Sequence, residues 1–406
     1  DIGPEHVVLS TNPGYPYFQM GFKKKRDCFT LAKQRARMWA HRVKEDLPVQ
    51  VPPAMIFART SVTKRGETKL RGVWGKPFDL LICEHSIYDP WIERAQRSKT
   101  IPSAYRFTLF NRGYRRLYDE ITNAGKPGTV SYFGADFRKA DTGYAPWLIN
   151  IGFDIIQSQI DFGKYERYGN PIPSRSMKLA KKLQRQTINT KFLMPDGYLF
   201  QKETGVDSGS VPFQRVEDIC TFIINRTCLY LQQREILFDS YLGDDDYTVL
   251  RNALTVDLDK YATDCQTLFG MEVHLEKCFN TINIWETSFL GRNLLAGLPA
   301  RDTIDIVLAA LYPKSTDRTE LDTAQRIVAL FYENCYNNAT ATRFLQACWD
   351  RLSPEIKEFC LTGNYVWDTR WYKMFKSYGL DRPPRCVPPE KFQLFLMLTT
   401  NKQDVT

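Results

Sequence analysis

The stretch Ile236-Leu237-Phe238-Asp239-Ser240-Tyr241-Leu242-Gly243-Asp244-Asp245-Asp246-Tyr247-Thr248-Val249-Leu250 decides how the chain is read. Its flanks are apolar and β-prone and turn residues lie between them, which predicts a β-hairpin. Three consecutive carboxylates stand at the tip. Neighbouring like charges repel, and an apolar setting makes their ionised forms costly. A divalent cation offsets both effects, because Mg²⁺ takes oxygen ligands from one or two carboxylates and from substrate phosphates. A solvated Gly-Asp turn carries the same short pattern by chance, so the remainder of the chain has to decide.

With 406 residues the chain can hold two or three packed subdomains. Its 43% hydrophobic and 25% charged content is ordinary for globular proteins and argues against disorder. The net charge of +9 is clustered, which suits a polyanionic partner. Histidines 6, 41, 85 and 274 are too scattered for a His-based zinc site, and the cysteines form no C-x-x-C pair, so reduced thiols in a cytosolic setting are expected. No apolar run reaches membrane-spanning length, and Asp1-Ile2-Gly3-Pro4 is no signal peptide. A start at Asp reads as a processed chain or a fragment.

Upstream of the hairpin, Val130-Ser131-Tyr132-Phe133-Gly134-Ala135-Asp136 reads as a strand ending in a carboxylate, with Asp141 five residues on. Pro146 suits the first turn of a helix over about 146–160, with Leu148, Ile151, Ile155 and Ile156 at helical spacing. An acid at the end of a buried strand suits a metal ligand, and the same residue type also serves as a cap. Gly205-Val206-Asp207-Ser208-Gly209-Ser210-Val211-Pro212 then leads into a helix over about 213–235 with a stripe of Val216, Ile219, Cys220, Ile223 and Ile224. Small residues before a helix allow close approach to a phosphate or sugar, and an ordinary flexible loop would read alike. Beyond the hairpin come a helix of about 257–269 closed by Gly270, then Lys277, the extended Ser288-Phe289-Leu290-Gly291-Arg292, and helices from 302 onward.

Two basic segments precede all of this. Thr11-Asn12-Pro13-Gly14-Tyr15-Pro16 is turn-rich, and Lys23, Lys24, Lys25 and Arg26 open a helix running to about Lys44. Arg59, Lys64, Arg65, Lys69, Arg71 and Lys76 surround Leu70-Arg71-Gly72-Val73-Trp74-Gly75. In an extended 69–74, Lys69, Arg71 and Val73 share one face and Leu70 and Trp74 the other. Paired cations on such a face suit a triphosphate or an RNA backbone, or merely protect an exposed strand edge. Residues 165–200, with Lys178, Lys181, Lys182, Arg185 and Lys191, read as an inserted surface segment rather than core.

Taken in order, these segments resemble the motif series of viral RNA-dependent RNA polymerases, with the partitivirus and picobirnavirus type as the nearest look, across most of residues 11–300. Asn12, Pro13 and Gly14 look like the template-strand loop of motif G, and Lys64, Lys69 and Arg71 like basic motif F. Asp136-x4-Asp141 is similar to motif A, Ser208-Gly209-Ser210 with its helix to motif B, and Gly243-Asp244-Asp245 to motif C. Lys277 falls at the motif D lysine and Phe289-Leu290-Gly291-Arg292 at motif E.

The resemblance implies an α+β right hand: fingers over 1–128, palm over 129–164 and 201–295, a fingers insertion over 165–200, and a helical thumb over 296–406. It implies templated nucleotidyl transfer from ribonucleoside triphosphates, for replication and transcription of a viral RNA genome. Two Mg²⁺ ions, with Mn²⁺ able to substitute, would be held by Asp136, Asp244 and Asp245, about 3.5–4 Å apart. Asp246 is a spare charge or an outer-shell group. Lys277 is the candidate general acid for pyrophosphate. Lys64, Lys69 and Arg71 would hold the triphosphate, and Asp141, Ser208, Gly209 and Asp218 the nucleotide's sugar side. Asn12, Pro13, Gly14, Lys23, Lys24 and Arg292 would touch RNA. A capsid protein is a further expected partner, the setting a virion interior or host cytoplasm, with no membrane. Motif B departs from the pattern, with Phe213 where Thr is usual and Glu217 where Asn or Asp is usual; Pro212 could shift the register so that Asp218 serves. The rival readings are a catalytically inactive RNA-binding relative in a virion and, against Asp141 and Gly243, a reverse transcriptase.

Overall fold

The computed structural model describes residues 2–60, 70–166, 169–313 and 316–400. Its centre is a four-stranded antiparallel sheet. Strand Val130–Gly134 lies between Asp245–Arg251 and Phe279–Thr281, and Ile236–Leu242 forms the outer edge. Every residue of Val130–Gly134 is buried, because both sheet faces are covered. Side chains alternate across a strand, so Phe133 and Leu250 enter the core behind the sheet while Tyr132, Tyr247 and Val249 enter the opposite core. Helices Pro146–Ser158, Phe213–Leu231 and Leu258–Phe269 fill the first core, and Gly113–Ala124 the second.

The expected helices fall close to their predicted bounds. Pro146–Ser158 begins at its proline, and Leu258–Phe269 is capped by the Asp257 carboxylate at one end and by left-handed Gly270 at the other. Lys25–Lys44 and the long Phe78–Arg97 pack together with Leu179 and Leu183 of Pro173–Ile188. That packing corrects the surface reading of 165–200. Leu179, Ala180, Leu183 and Ile188 lie on a buried face, and the lysines that dominate the composition occupy the outer one.

A second sheet orders Leu70–Gly75, Ala54–Thr60, Lys191–Leu193 and Leu199–Gln201. Leu70–Gly75 is extended as the alternation predicts, with Trp74 packed edge-on against Phe192 at 4.9 Å. A small sheet of Ser288–Phe289, Arg292–Leu295 and Leu298–Ala300 leads into the helices Thr303–Leu311, Glu320–Asn334, Ala339–Asp350, Pro354–Thr362, Thr369–Ser377 and Lys391–Thr399, which share their own core. All ten cysteines are free thiols. Among the described residues no helix is long and apolar enough to cross a membrane.

Candidate active site

The acidic hairpin is built as the sequence predicts. Leu242 pairs with Asp245, which leaves Gly243-Asp244 as a two-residue loop. Gly243 has φ +67°, and a Cβ there would come 2.2 Å from Gln214 Nε2, so this position needs glycine. The preceding helix, Phe213–Leu231, grips the Gly243 peptide on both sides: the Gly243 N–H donates to Asp218 Oδ1 at 2.6 Å, and its carbonyl accepts from Thr221 Oγ1 at 2.7 Å. Asp218 Oδ2 in turn accepts from Arg215 Nη1 at 3.0 Å and Ser103 Oγ at 3.1 Å. Burial pushes the Asp218 carboxyl up to about 6, against the hydrogen bonds from Gly243 and Arg215 that hold it down.

Asp246 is buried and points to the opposite side from solvent. Its Oδ1 accepts from the Ala135 N–H at 2.7 Å and its Oδ2 from Asn225 Nδ2 at 3.1 Å. Of the two roles open to it from sequence, the spare surface charge is therefore excluded. The carboxylate ties the end of Val130–Gly134 to the hairpin, and Asp136 lies near enough to Asp245 for its charge to act on it. Burial holds its pKa well above the usual carboxylate range. Asp244 and Asp245 are exposed, and the Asp136 side chain is 41% exposed. Desolvation and then the Asp244 and Asp136 charges push Asp245 up to about 6. Lys277, in the short 3-10 turn Leu275–Lys277, places Nζ 3.7 Å from Asp136 Oδ1.

Glu217 lies one residue from Asp218 but on another face of the helix. Burial, then the Asp244 and Asp141 charges, raise its carboxyl to about 9. Glu217 is thus the helix acid that faces Asp141, while Asp218 faces Gly243 of the hairpin turn. Asp218, expected beside the nucleotide, has its two oxygens taken in this structure by Gly243, Arg215 and Ser103. The signal was present, since Glu217, Asp218, Thr221 and Asn225 form a polar stripe at helical spacing and all are buried.

The loop before this helix touches both neighbouring elements. Gly205 sits against the Asp141 turn, where a Cβ would lie 2.4 Å from Asp141 O, and Val206 N donates to the same carbonyl at 2.9 Å. At the other end, Trp74 N meets Ser208 Oγ at 3.5 Å, and a Cβ at Gly209 would lie 2.4 Å from Trp74 O. Ser208 is exposed and Gly209 half-buried.

Three further expectations change. Arg292 is buried, not at an RNA surface: Nη1 donates to the Glu333 carbonyl and Nη2 reaches Tyr378 Oη at 3.3 Å, with the guanidinium 5.5 Å over that ring. Lys76 leaves the exposed basic cluster and is buried against Glu84 and Asp207. Pro13 and Gly14 are buried where the loop meets the start of Phe78–Arg97, with Pro13 O accepting from Phe78 N at 3.1 Å, so they shape the loop instead of facing RNA. Asn12 is half-buried and Oδ1 accepts from Gly14 N at 2.8 Å, while Lys23 and Lys24 are exposed. Lys64 and Lys69 lie outside the described residues; the Arg71 backbone pairs with Arg59 across the strands.

Residues 4–348 match the family of viral RNA-dependent RNA polymerases. The chain belongs to this family. It is 26% identical over 349 residues to the RNA-directed RNA polymerase of Cryptosporidium parvum virus 1 (strain KSU-1), which takes in 80% of this chain and 62% of that protein. Its fold is similar to the RNA-dependent RNA polymerase of a human picobirnavirus, with TM-score 0.67 and 16% identity over 87% of this chain and 66% of that one. The insertion-loop deletion mutant of that enzyme gives TM-score 0.61 and 17% identity over 76% and 60%. The chain thus has the right-hand polymerase fold and spans under two thirds of these relatives' lengths.

Membership implies divalent metal use. Among the described residues no three Asp, Glu, His or Cys side chains already converge to hold a cation. The donors nevertheless fit a hard cation that completes its shell with phosphate oxygens. Asp136, Asp244 and Asp245 supply only carboxylate oxygen, and burial, with the Asp244 and Asp136 charges adding to it, raises the Asp245 carboxyl, a setting that a bound cation would offset.

Proposed function

We propose that the chain is the catalytic body of an RNA-dependent RNA polymerase of a double-stranded RNA virus, joining ribonucleoside triphosphates on an RNA template. The observation that carries this reading is the double tie at the centre: Asp246 binds the strand end before Asp136, and Asp218 with Thr221 binds Gly243 before Asp244. Both ties hold the ends of two paired elements, the strand before Asp136 and the turn carrying Asp244, which supports a shared site for in-line phosphoryl transfer. Two Mg²⁺ ions, or Mn²⁺ in their place, held by Asp136, Asp244 and Asp245 would activate the 3′-hydroxyl and stabilise charge on the leaving pyrophosphate.

The chain's own groups do the rest. Lys277 stands beside Asp136 and donates a proton to the departing pyrophosphate. Arg71, with Lys64 and Lys69, offsets the triphosphate charge. Asp141 recognises the ribose 2′-hydroxyl, and Glu217, whose carboxyl burial and then the Asp244 and Asp141 charges raise, stands in the same network and fills the role of the missing Asn or Asp. Ser208 and Gly209 approach the nucleotide, while Lys23 and Lys24 with the Asn12 loop guide template RNA. Residues 1–128 and 165–200 form the fingers, 129–164 and 201–295 the palm, and 296–406 the thumb. A virion interior or host cytoplasm is the setting, with a capsid protein as partner.

Incorporation of labelled ribonucleotides on a short RNA template with Mg²⁺, compared with Asp244→Asn, tests the reading. Synthesis by the wild type only, with RNA binding equal in both, is expected. Equal synthesis by the variant would overturn the metal assignment. Binding of RNA without synthesis by either would favour a non-catalytic RNA-binding role.

A further inference from the structure

Behind the Ser208–Gly209 loop lies a buried ionic cluster that no part of the reaction uses directly. Glu84, on Phe78–Arg97, is 1% exposed. Its Oε1 accepts from Lys76 Nζ at 2.6 Å, Ser210 Oγ at 3.1 Å and Thr187 Oγ1 at 3.3 Å, and its Oε2 accepts from Val211 N at 2.8 Å. Lys76 Nζ also lies 3.5 Å from Asp207 Oδ2, and Asp207 Oδ1 accepts from Gly209 N at 2.9 Å. Burial opposes the Lys76 charge, but Glu84 and Asp207 outweigh it and raise its pKa. Lys202 Nζ closes the cluster by donating to Gly205 O at 2.6 Å. The charges balance, two lysines against two acids.

Apolar residues of similar volume would stabilise the fold as well as these ions or better, since desolvating charges offsets their attraction. What the cluster supplies is position. Lys76 directly follows the strand that carries Arg71, and Glu84 is bonded both to that lysine and to the backbone and side chain of the loop. The loop itself is wedged between Trp74 and Asp141. Any shift of Glu84 therefore moves Ser208–Gly209 relative to both the triphosphate strand and the sugar-recognising acid.

We propose that Glu84 is a positioning residue for nucleotide selection: through Lys76, Ser210 and Val211 it sets the seat of the Ser208–Gly209 loop and hence the discrimination between ribose and 2′-deoxyribose. The proposal rests on the polymerase reading above. Its test is the ratio of kcat/KM for a ribonucleoside triphosphate to that for its 2′-deoxy counterpart, measured for wild type, Glu84→Gln, and the charge-free pair Lys76→Met with Glu84→Leu. This ratio does not depend on the fraction of folded enzyme, so a merely structural role leaves it unmoved. Glu84→Gln is expected to lower the ratio about tenfold, the effect of losing one charge-assisted hydrogen bond. The apolar pair is expected to recover Tm but not the ratio. A ratio equal to wild type in Glu84→Gln, or one that recovers together with Tm in the apolar pair, would overturn the proposal. The same ratio read as equilibrium affinities, from tryptophan fluorescence on titration with each nucleotide, decides the point without synthesis. Absence of wild-type synthesis would therefore count against the polymerase reading alone.

Discussion

Asp218→Asn separates a residue that holds the catalytic turn from one that holds the nucleotide. The carboxylate serves three donors: Gly243 N–H at 2.6 Å on one oxygen, Arg215 Nη1 at 3.0 Å and Ser103 Oγ at 3.1 Å on the other. Asparagine keeps a single acceptor oxygen, so either Gly243 loses its acceptor or Arg215, which keeps Ser103 Oγ at 2.6 Å, loses its carboxylate and faces an NH₂ group instead. Arg215 is almost fully buried, lies 3.5 Å over the Tyr105 ring, and among the described residues has no other carboxylate within ion-pair distance. Removing one member of a buried ion pair costs about 3–5 kcal/mol. The Asp218 side chain is 10% exposed, so solvent screens little of this. Asn preserves volume and one hydrogen bond, which places the loss at about 3 kcal/mol, or a fall in Tm of about 3–4 °C for a chain of this length at about 2.1 cal/mol/K of unfolding entropy per residue. Thr221 Oγ1 still holds the Gly243 carbonyl, so the turn shifts rather than melts. A displacement of about 1 Å at the reacting geometry costs on the order of 10²-fold in rate. Single-nucleotide incorporation well below the variant's Tm should show that loss in kcat, with the nucleotide KM nearly unchanged. A wild-type kcat would refute the positioning role. A loss carried by KM would return Asp218 to the nucleotide site.

Two further outcomes follow from the same geometry. Glu217 is held near 9 when folded against a usual value of 4.5, so between those values the folded chain binds the extra proton and stability falls as pH rises. Glu217→Gln removes that slope: in metal-free buffer at pH 8 its Tm should exceed wild type by at least about 2 °C, and parallel pH profiles of Tm would refute the shift. Lys277→Met should slow single-turnover incorporation by about 10²-fold and remove the alkaline limb of its pH–rate profile, as loss of a general acid does. An unchanged rate would leave the lysine as no more than an ion-pair partner of Asp136.

The hairpin, the strand into Asp136 and the helices around 146–158 and 213–231 were legible because each carries its own period and its own stop signals. The site was less so, and the reason is geometric. Glu217 and Asp218 are adjacent in sequence, yet one step along a helix turns a side chain by about 100°. Only the packing of Val216, Cys220 and Ile224 into the core fixes which acid faces Asp141 and which faces Gly243. Residues 165–200 misled for the opposite reason, as lysines on the outer face set the composition while Leu179 and Leu183 do the packing.

Arg292 and Lys76 show where reading by residue type stops. A cation in a basic chain is expected at the surface, because burying it unpaired is prohibitive. Both are buried because partners neutralise or solvate them: the Glu333 carbonyl and Tyr378 for Arg292, and Glu84 with Asp207 for Lys76. Glu84 is only eight residues from Lys76, but the other partners lie far along the chain and meet these cations only once it has folded. The same holds for Asp246, whose carboxylate looks surplus beside Asp244 and Asp245 until the Ala135 N–H is brought to it. A row of three acids at a hairpin tip is therefore not three equivalent ligands. The alternation of the strand sends Asp246 inward to hold the sheet together and leaves Asp245 on the other side, where the Asp136 charge acts on it, with Asp244 exposed in the turn.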